Sequence, residues 1–314
     1  MKFNILITAF PFVNEYKKLR KLFKKHNFNI KVIKTSQYLK EKDLIKIVKN
    51  IDGILCGDDE INENVLKKAN RLKVLSKWGT GIDSIDLETC KKLKIKVFNT
   101  PGAFTESVAT QALAFILNFN RKILQNDNNI KKGIWNKFEG ITLVNKKIGI
   151  IGLGNIGLRI AELLSPFKCK VFGNDIKKIN NQKLKKFKVV TKSKNYIYKN
   201  CDIIIIATDL NTSTKYLVNN KTSKLIKKKP LLVNIARGPI INDQALISLL
   251  EKKIIAGACL DVFEKEPLPP KSKLKKFKNV ILTSHNAFNT VEEVNKVHFN
   301  TYKNLVLGLK NEKL

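Results

Sequence analysis

Short apolar runs recur along the chain, and between them lie longer stretches whose apolar residues return every three or four positions. The runs read as strands: "FNILIT" (3–8), "NIKVIK" (29–34), "GILC" (53–56), "LKVLSK" (72–77) and "IKVFN" (95–99), then "KKIGIIG" (146–152), "CKVFGND" (169–175), "CDIIIIA" (201–207), "LLVNIA" (231–236), "AGACLDV" (256–262) and "NVILTS" (279–284). The unbroken apolar character of "IIIIA" and "LLVNIA" predicts strands covered on both faces, as in a parallel sheet. The stretches between carry helical spacing. In "NIGLRIAELLSPF" (155–167), Ile156, Ile160, Leu163 and Leu164 share a face and Pro166 marks the end. Strand–helix alternation over the full length predicts an α/β, doubly wound architecture.

The same pattern suggests two domains. Residues 1–99 hold five strands before the Pro of "NTPGAF" (99–104), and a helix is expected from Glu106 to Arg121 through Val108, Ala112, Phe115, Ile116 and Phe119. A second strand–helix series fills 140–285. The tail from Thr290 to Leu309 is helical again, with Val291, Val294, Val297 and Leu305 as its apolar positions. No short-period repeat or low-complexity linker interrupts the chain.

At 314 residues, with 43% hydrophobic and 27% charged side chains, the composition is globular. Charge changes the picture only in degree. Sixty Lys+Arg against 26 Asp+Glu give a formal +34, but Arg stands at only five positions, so the bidentate base contacts of a dedicated nucleic-acid reader are not supplied. Lys is spread throughout, which reads as a Lys-coated surface with weak attraction for anions and no specific nucleic-acid partner. Five dispersed Cys (56, 90, 169, 201, 259) form no CxxC pair or Cys/His cluster, so neither a disulfide framework nor a metal site is predicted. Buried thiols in a reducing cytoplasm are expected. No apolar run approaches the ~20 residues of a membrane span.

One loop carries specific chemistry. "KKIGIIGLGNIG" puts Gly152, Gly154 and Gly157 between a strand and a helix, and the next strand ends in Asp175, 18 residues beyond Gly157. The first Gly permits the tight turn, the second lets backbone approach a pyrophosphate, and the third allows close helix–strand packing. An acid at that spacing accepts the adenosine ribose hydroxyls and repels a 2′-phosphate, which selects NAD over NADP. Lys177 and Lys178 weaken that exclusion.

Three later strands end in polar residues. "LLVNIARGP" leads to Arg237, "AGACLDVFEKEP" to Asp261, and "NVILTSHNAF" to His285. In an open parallel sheet these strand ends line the ligand crevice. An Arg for a carboxylate, a His for a hydroxyl proton and an acid to orient it are what 2-hydroxy-acid oxidation requires.

Together with "SKWGTGIDSID" (76–86), "NTPGAFTESVA" (99–109), "NIARGPIIN" (234–242), "LDVFEKEPLP" (260–269) and "TSHNAF" (283–288), the chain resembles the D-isomer-specific 2-hydroxyacid dehydrogenases, in their phosphoglycerate-dehydrogenase-like branch. The resemblance implies a flavodoxin-like substrate domain (1–99 plus 290–314), a Rossmann NAD domain (100–289), an active site in the cleft and a homodimer formed through the cofactor domains. It implies that Arg237 binds the substrate carboxylate, that His285 moves the proton, and that Glu266 hydrogen-bonds His285. Asp261 would face the nicotinamide carboxamide. Asn155, Ile156, Asp175, Ile235 and Ala236 would contact NAD beside the glycines, and Gly79, Thr80 and Gly81 would cradle the substrate carboxylate.

Two departures concern the substrate: Asp209 stands where the family often has Pro, and Thr110 where it often has an acid. A C-terminal regulatory domain is not expected. His26 reads as a solvated loop residue and His298 as a surface or interface residue, and Glu264 is the acid most easily confused with Glu266. The expected function is interconversion of a small D-2-hydroxy acid and its 2-keto acid with NAD. D-3-phosphoglycerate is the first candidate and glyoxylate or hydroxypyruvate the second. A non-enzymatic NADH-sensing binder of the same fold is the alternative.

Overall fold

The computed structural model describes residues 2–35 and 37–310. It divides into two compact units, Met1–Phe104 with Thr290–Leu314, and Thr105–Asn289. The boundary thus falls after Phe104, past the Pro at 101.

The first unit holds five parallel strands, β1 (Phe3–Ile7), β2 (Phe28–Val32), β3 (Gly53–Cys56), β4 (Val74–Lys77) and β5 (Lys96–Phe98), in the order β2-β1-β3-β4-β5. All residues of β3 and β4 are buried, as their apolar runs require. The C-terminal helix Val291–Lys310 packs on this sheet through Val297, His298, Thr301 and Leu305. Gly308 belongs to the same face: a Cβ there would meet Val74 at 2.3 Å. Val291, expected on that face, is 76% exposed because the first turn precedes the contact.

Two histidines also differ from expectation. His298 is 1% exposed, its Nδ1 accepting the indole N–H of Trp78 at 3.0 Å. His26 pairs its Nε2 with the Tyr302 hydroxyl at 2.7 Å and stacks on Phe28. Both are hidden in the sequence because their partners lie 220 and 276 residues away.

The second unit holds seven parallel strands, β6 (Lys147–Ile151), β7 (Lys170–Asn174), β8 (Val189–Thr191), β9 (Ile203–Ile206), β10 (Leu231–Asn234), β11 (Gly257–Leu260) and β12 (Val280–Leu282). Their order is β12-β11-β10-β9-β6-β7-β8. The three-residue edge strand β8 has no counterpart in the sequence reading, because two of its residues are exposed and it sits among Lys. Chain order reverses between β9 and β6, so the crevice beyond the carboxyl ends opens there. The helix Asn155–Leu164 buries Gly157, Ile160, Ala161 and Leu164. Ile156 and Leu163, expected on that face, are half-buried. The helix ends in a 3-10 turn containing Pro166. The helix Thr105–Arg121 packs against it.

The buried His298 gives a test of this packing. Desolvation holds its pKa down at about 4, against 6.5 in the unfolded chain. The neutral ring therefore contributes stability above pH 6.5 that is lost as pH falls toward 4. Wild type should lose about 2–3 kcal/mol more than His298→Gln between pH 7 and about pH 4.5 in denaturant titrations. Parallel pH dependence in the two proteins would contradict the buried neutral ring.

Candidate active site

Each polar residue of the second unit's site follows a strand end. After β6, Gly152 takes φ +98°, and a Cβ there would lie 2.4 Å from the Ala207 carbonyl oxygen. Gly157 meets the Gly152 carbonyl so closely that a Cβ would fall at 2.0 Å. Gly154 is different: nothing lies within 4 Å of its Cβ position, and it N-caps the Asn155–Leu164 helix without a side-chain cap. Two glycines thus close the turn, and the third opens it at a helix N-terminus, where N–H groups and the helix dipole favour an anion. Asp175, just beyond β7, supports the loop: its Oδ2 accepts Leu153 N–H at 2.7 Å and its Oδ1 accepts Lys177 N–H at 2.8 Å. A dinucleotide pyrophosphate fits this open cradle. Gly154, Asn155 and Ile156 would hold it, with Asp175 at the ribose.

Beyond β10, buried Asn234 ties the turn: its Oδ1 accepts Ala236 N–H at 3.1 Å and its Nδ2 donates to the Arg237 carbonyl at 3.0 Å. Ile235 is buried beneath. Arg237 is extended (φ −143°), and its Nη1 donates to the Ala236 carbonyl at 2.9 Å. Gly238 then runs flush against the loop after β11, since a Cβ there would sit 1.8 Å from the Phe263 carbonyl oxygen.

That loop carries two acids with separate duties. Glu266 accepts Phe263 N–H on Oε1 at 2.9 Å and meets His285 Nδ1 through Oε2 at 2.8 Å. Glu264 faces elsewhere. It accepts the Tyr216 hydroxyl at 2.5 Å and Asp243 N–H at 3.0 Å. Burial, with the Glu264 charge adding to it, pushes the Asp243 carboxyl up to about 6.

Asp261 is 1% exposed. Its Oδ1 accepts the Thr283 hydroxyl at 2.5 Å and Asn286 N–H at 2.8 Å, and its Oδ2 accepts Ala287 N–H at 3.0 Å. The Asp261 carbonyl takes His285 N–H at 2.7 Å. This carboxylate clamps the loop that presents His285. The sequence hides this because the donors, two of them backbone N–H groups, lie 22–26 residues on. His285 and Glu266 are about four-fifths buried, at 20% and 18% side-chain exposure.

In the first unit, the Gly79–Gly81 turn follows β4. Gly79 takes φ +120° and its carbonyl accepts both Thr100 N–H and the Thr100 hydroxyl at 3.0 Å. The Thr80 carbonyl accepts Asn99 Nδ2 at 2.7 Å. Four of the five thiols are buried, with burial pushing Cys90 up to about 11 and Cys201 up to about 12. Among the described residues no His, Cys, Asp and Glu group is placed to hold a metal, and no helix is long and apolar enough to cross a membrane.

The profile of the D-isomer specific 2-hydroxyacid dehydrogenase NAD binding domain matches residues 113–287. A glyoxylate reductase of Thermofilum pendens is 35% identical over 278 residues, covering 86% of this chain and 82% of its own. A D-3-phosphoglycerate dehydrogenase of Methanocaldococcus jannaschii is 33% identical over 81% of this chain and 49% of its own. The structure of the Aquifex aeolicus D-lactate dehydrogenase with NAD and lactic acid superposes with a TM-score of 0.88 at 26% identity, covering 98% of this chain and 96% of that one. The chain belongs to the D-isomer specific 2-hydroxyacid dehydrogenases. It is an NAD-dependent oxidoreductase.

The Asp175 carboxylate should make NADH the better cofactor, because it repels a 2′-phosphate. The expected kcat/KM ratio of NADH over NADPH is on the order of tenfold or more. Equal values would mean that Lys177 and Lys178 govern that pocket.

Proposed function

We propose that this enzyme reduces a small 2-oxo acid of the glyoxylate or hydroxypyruvate kind, and in reverse oxidises the corresponding D-2-hydroxy acid. The observation that carries the chemistry is the 2.8 Å contact between His285 Nδ1 and Glu266, on the loop next to the Arg237 turn. The glyoxylate reductase likeness, over 82% of that relative, supports the substrate. D-3-phosphoglycerate has weaker support, since the likeness reaches only 49% of the relative so named.

The planar fork of Arg237, anchored through Nη1 on the Ala236 carbonyl, would bind the substrate carboxylate and polarise the C2 oxygen. In the first unit, the Gly79–Gly81 turn would offer backbone N–H groups to a substrate carboxylate. Glu266 accepts the Nδ1 proton, so Nε2 of His285 is the atom that takes the hydroxyl proton on oxidation and returns it on reduction. The carboxylate also steadies the imidazolium formed in the first direction. Bound NAD supplies the hydride acceptor, and NADH the donor.

We also infer a homodimer formed through the second unit. Ile123, Leu124, Ile130, Ile134, Trp135 and Ile141 are 44–81% exposed within one short stretch, a concentration of apolar side chains that suits an interaction face. Light scattering should give twice the chain mass for wild type and the single mass for Ile130→Glu/Trp135→Glu. A monomeric wild type would overturn the inference.

Oxidation needs neutral His285 and should fade as pH falls. Reduction needs its protonated form and should fade as pH rises, so the two directions should show opposing limbs from one group. His285→Gln should bind NADH as wild type does and lose about 10²–10⁴-fold in kcat. A fully active Gln variant would assign the proton to another residue.

A further inference from the structure

At the carboxyl ends of the first sheet, chain order reverses between β1 and β3, the position where an open α/β sheet offers a ligand crevice. Three segments meet there: Thr8 after β1, the 57–59 turn after β3, and Lys77 ending β4. Lys77 is a buried ammonium, 4% exposed at its side chain. Its Nζ donates to Asp58 Oδ1 at 2.9 Å and to the Trp78 carbonyl at 3.2 Å. It also borders the Gly79 turn, where a Cβ would lie 3.6 Å from Nζ.

The acid that neutralises it is held in place from behind. Asp59 is fully buried and accepts the Thr8 hydroxyl at 2.6 Å, Gly57 N–H at 3.0 Å and Leu39 N–H at 2.7 Å. Those bonds pin the turn that carries Asp58, whose side chain stays 43% exposed. Asp58 is the acid whose carboxylate meets the Lys77 ammonium directly, at 2.9 Å. An ammonium this buried costs several kcal/mol without a counter-charge, which explains why the pair is kept together.

We propose that Asp58 and Lys77 are specificity-determining residues that restrict the enzyme to 2-oxo acids of single negative charge. The inference rests on the reading of Gly79–Gly81 as the substrate turn. Lys77 would otherwise be a cation for a second carboxylate or a phosphate on the substrate. Its ammonium is instead engaged by Asp58 at 2.9 Å, and a carboxylate 43% exposed beside it disfavours a second anion. Glyoxylate and hydroxypyruvate pass this filter. Oxaloacetate and 3-phosphohydroxypyruvate do not.

The test compares kcat/KM for those four acids in wild type, Asp58→Asn and Asp58→Asn/Lys77→Met, all checked for unchanged Tm. Wild type should prefer the singly charged acids. Asp58→Asn should gain on the order of tenfold for the multiply charged pair, with the other two nearly unchanged, and the double variant should lose that gain. A wild type that uses both classes equally, an unchanged ratio in Asp58→Asn, or a gain that survives in the double variant would each overturn the proposal. Trp78 fluorescence in a Trp135→Phe background reads binding of the same acids without turnover. If wild type reduces none of them, the reductase reading fails. The charge filter then stands if Asp58→Asn shifts binding toward the multiply charged acids, and falls if it does not.

Discussion

His285 is useful only if its loop is held still, and a single buried carboxylate does the holding. Asp261 at the end of β11 receives the Thr283 hydroxyl and the N–H groups of Asn286 and Ala287, while its carbonyl takes the N–H of His285 itself. A carboxylate taken out of water is costly unless donors replace its hydration. Here the replacement donors are the loop, so burial of the charge and order of the loop are one event. Within that clamp His285 adopts φ +52°, a left-handed conformation uncommon outside Gly, and the ring reaches Glu266.

The rest of the site repeats the arrangement in lesser forms. Asn234 fixes the Arg237 turn, Asp175 supports the glycine loop, and Glu264 joins Tyr216 to the start of the Asp243–Glu251 helix. In each case a polar side chain at a strand end or in the loop after it bonds the backbone or a hydroxyl of a nearby loop. Strand ends supply functional groups, and these ties fix their aim. The Lys-rich exterior contributes something separate: a long-range attraction for anionic substrates that weakens with ionic strength.

What the sequence disclosed follows from which forces are local. Eleven of the twelve strands among the described residues read as apolar runs in the sequence, five of them because burial on both faces leaves an unbroken run, and the glycine loop is legible because its sterics act between near neighbours. The three-residue β8, half exposed among Lys, left no such trace. Neither did the burial of His298, which depends on an indole 220 residues away, nor the clamp by Asp261. Arg237 and His285 are legible as polar residues at strand ends and Glu266 through the family resemblance, and the structure brings Glu266 and His285 into contact. Their supporting residues were invisible because hydrogen bonds to distant backbone leave no pattern in side-chain type.

We propose that Glu266 takes the Nδ1 proton of His285 and leaves Nε2 to serve the substrate. Nitrogen-15 NMR of histidine-labelled enzyme, assigned by loss of one signal in His285→Gln, reads this tautomer directly. At a pH where the ring is neutral, Nδ1 should be protonated and Nε2 unprotonated, with Glu266→Gln weakening that preference. A neutral His285 carrying its proton on Nε2 would contradict it.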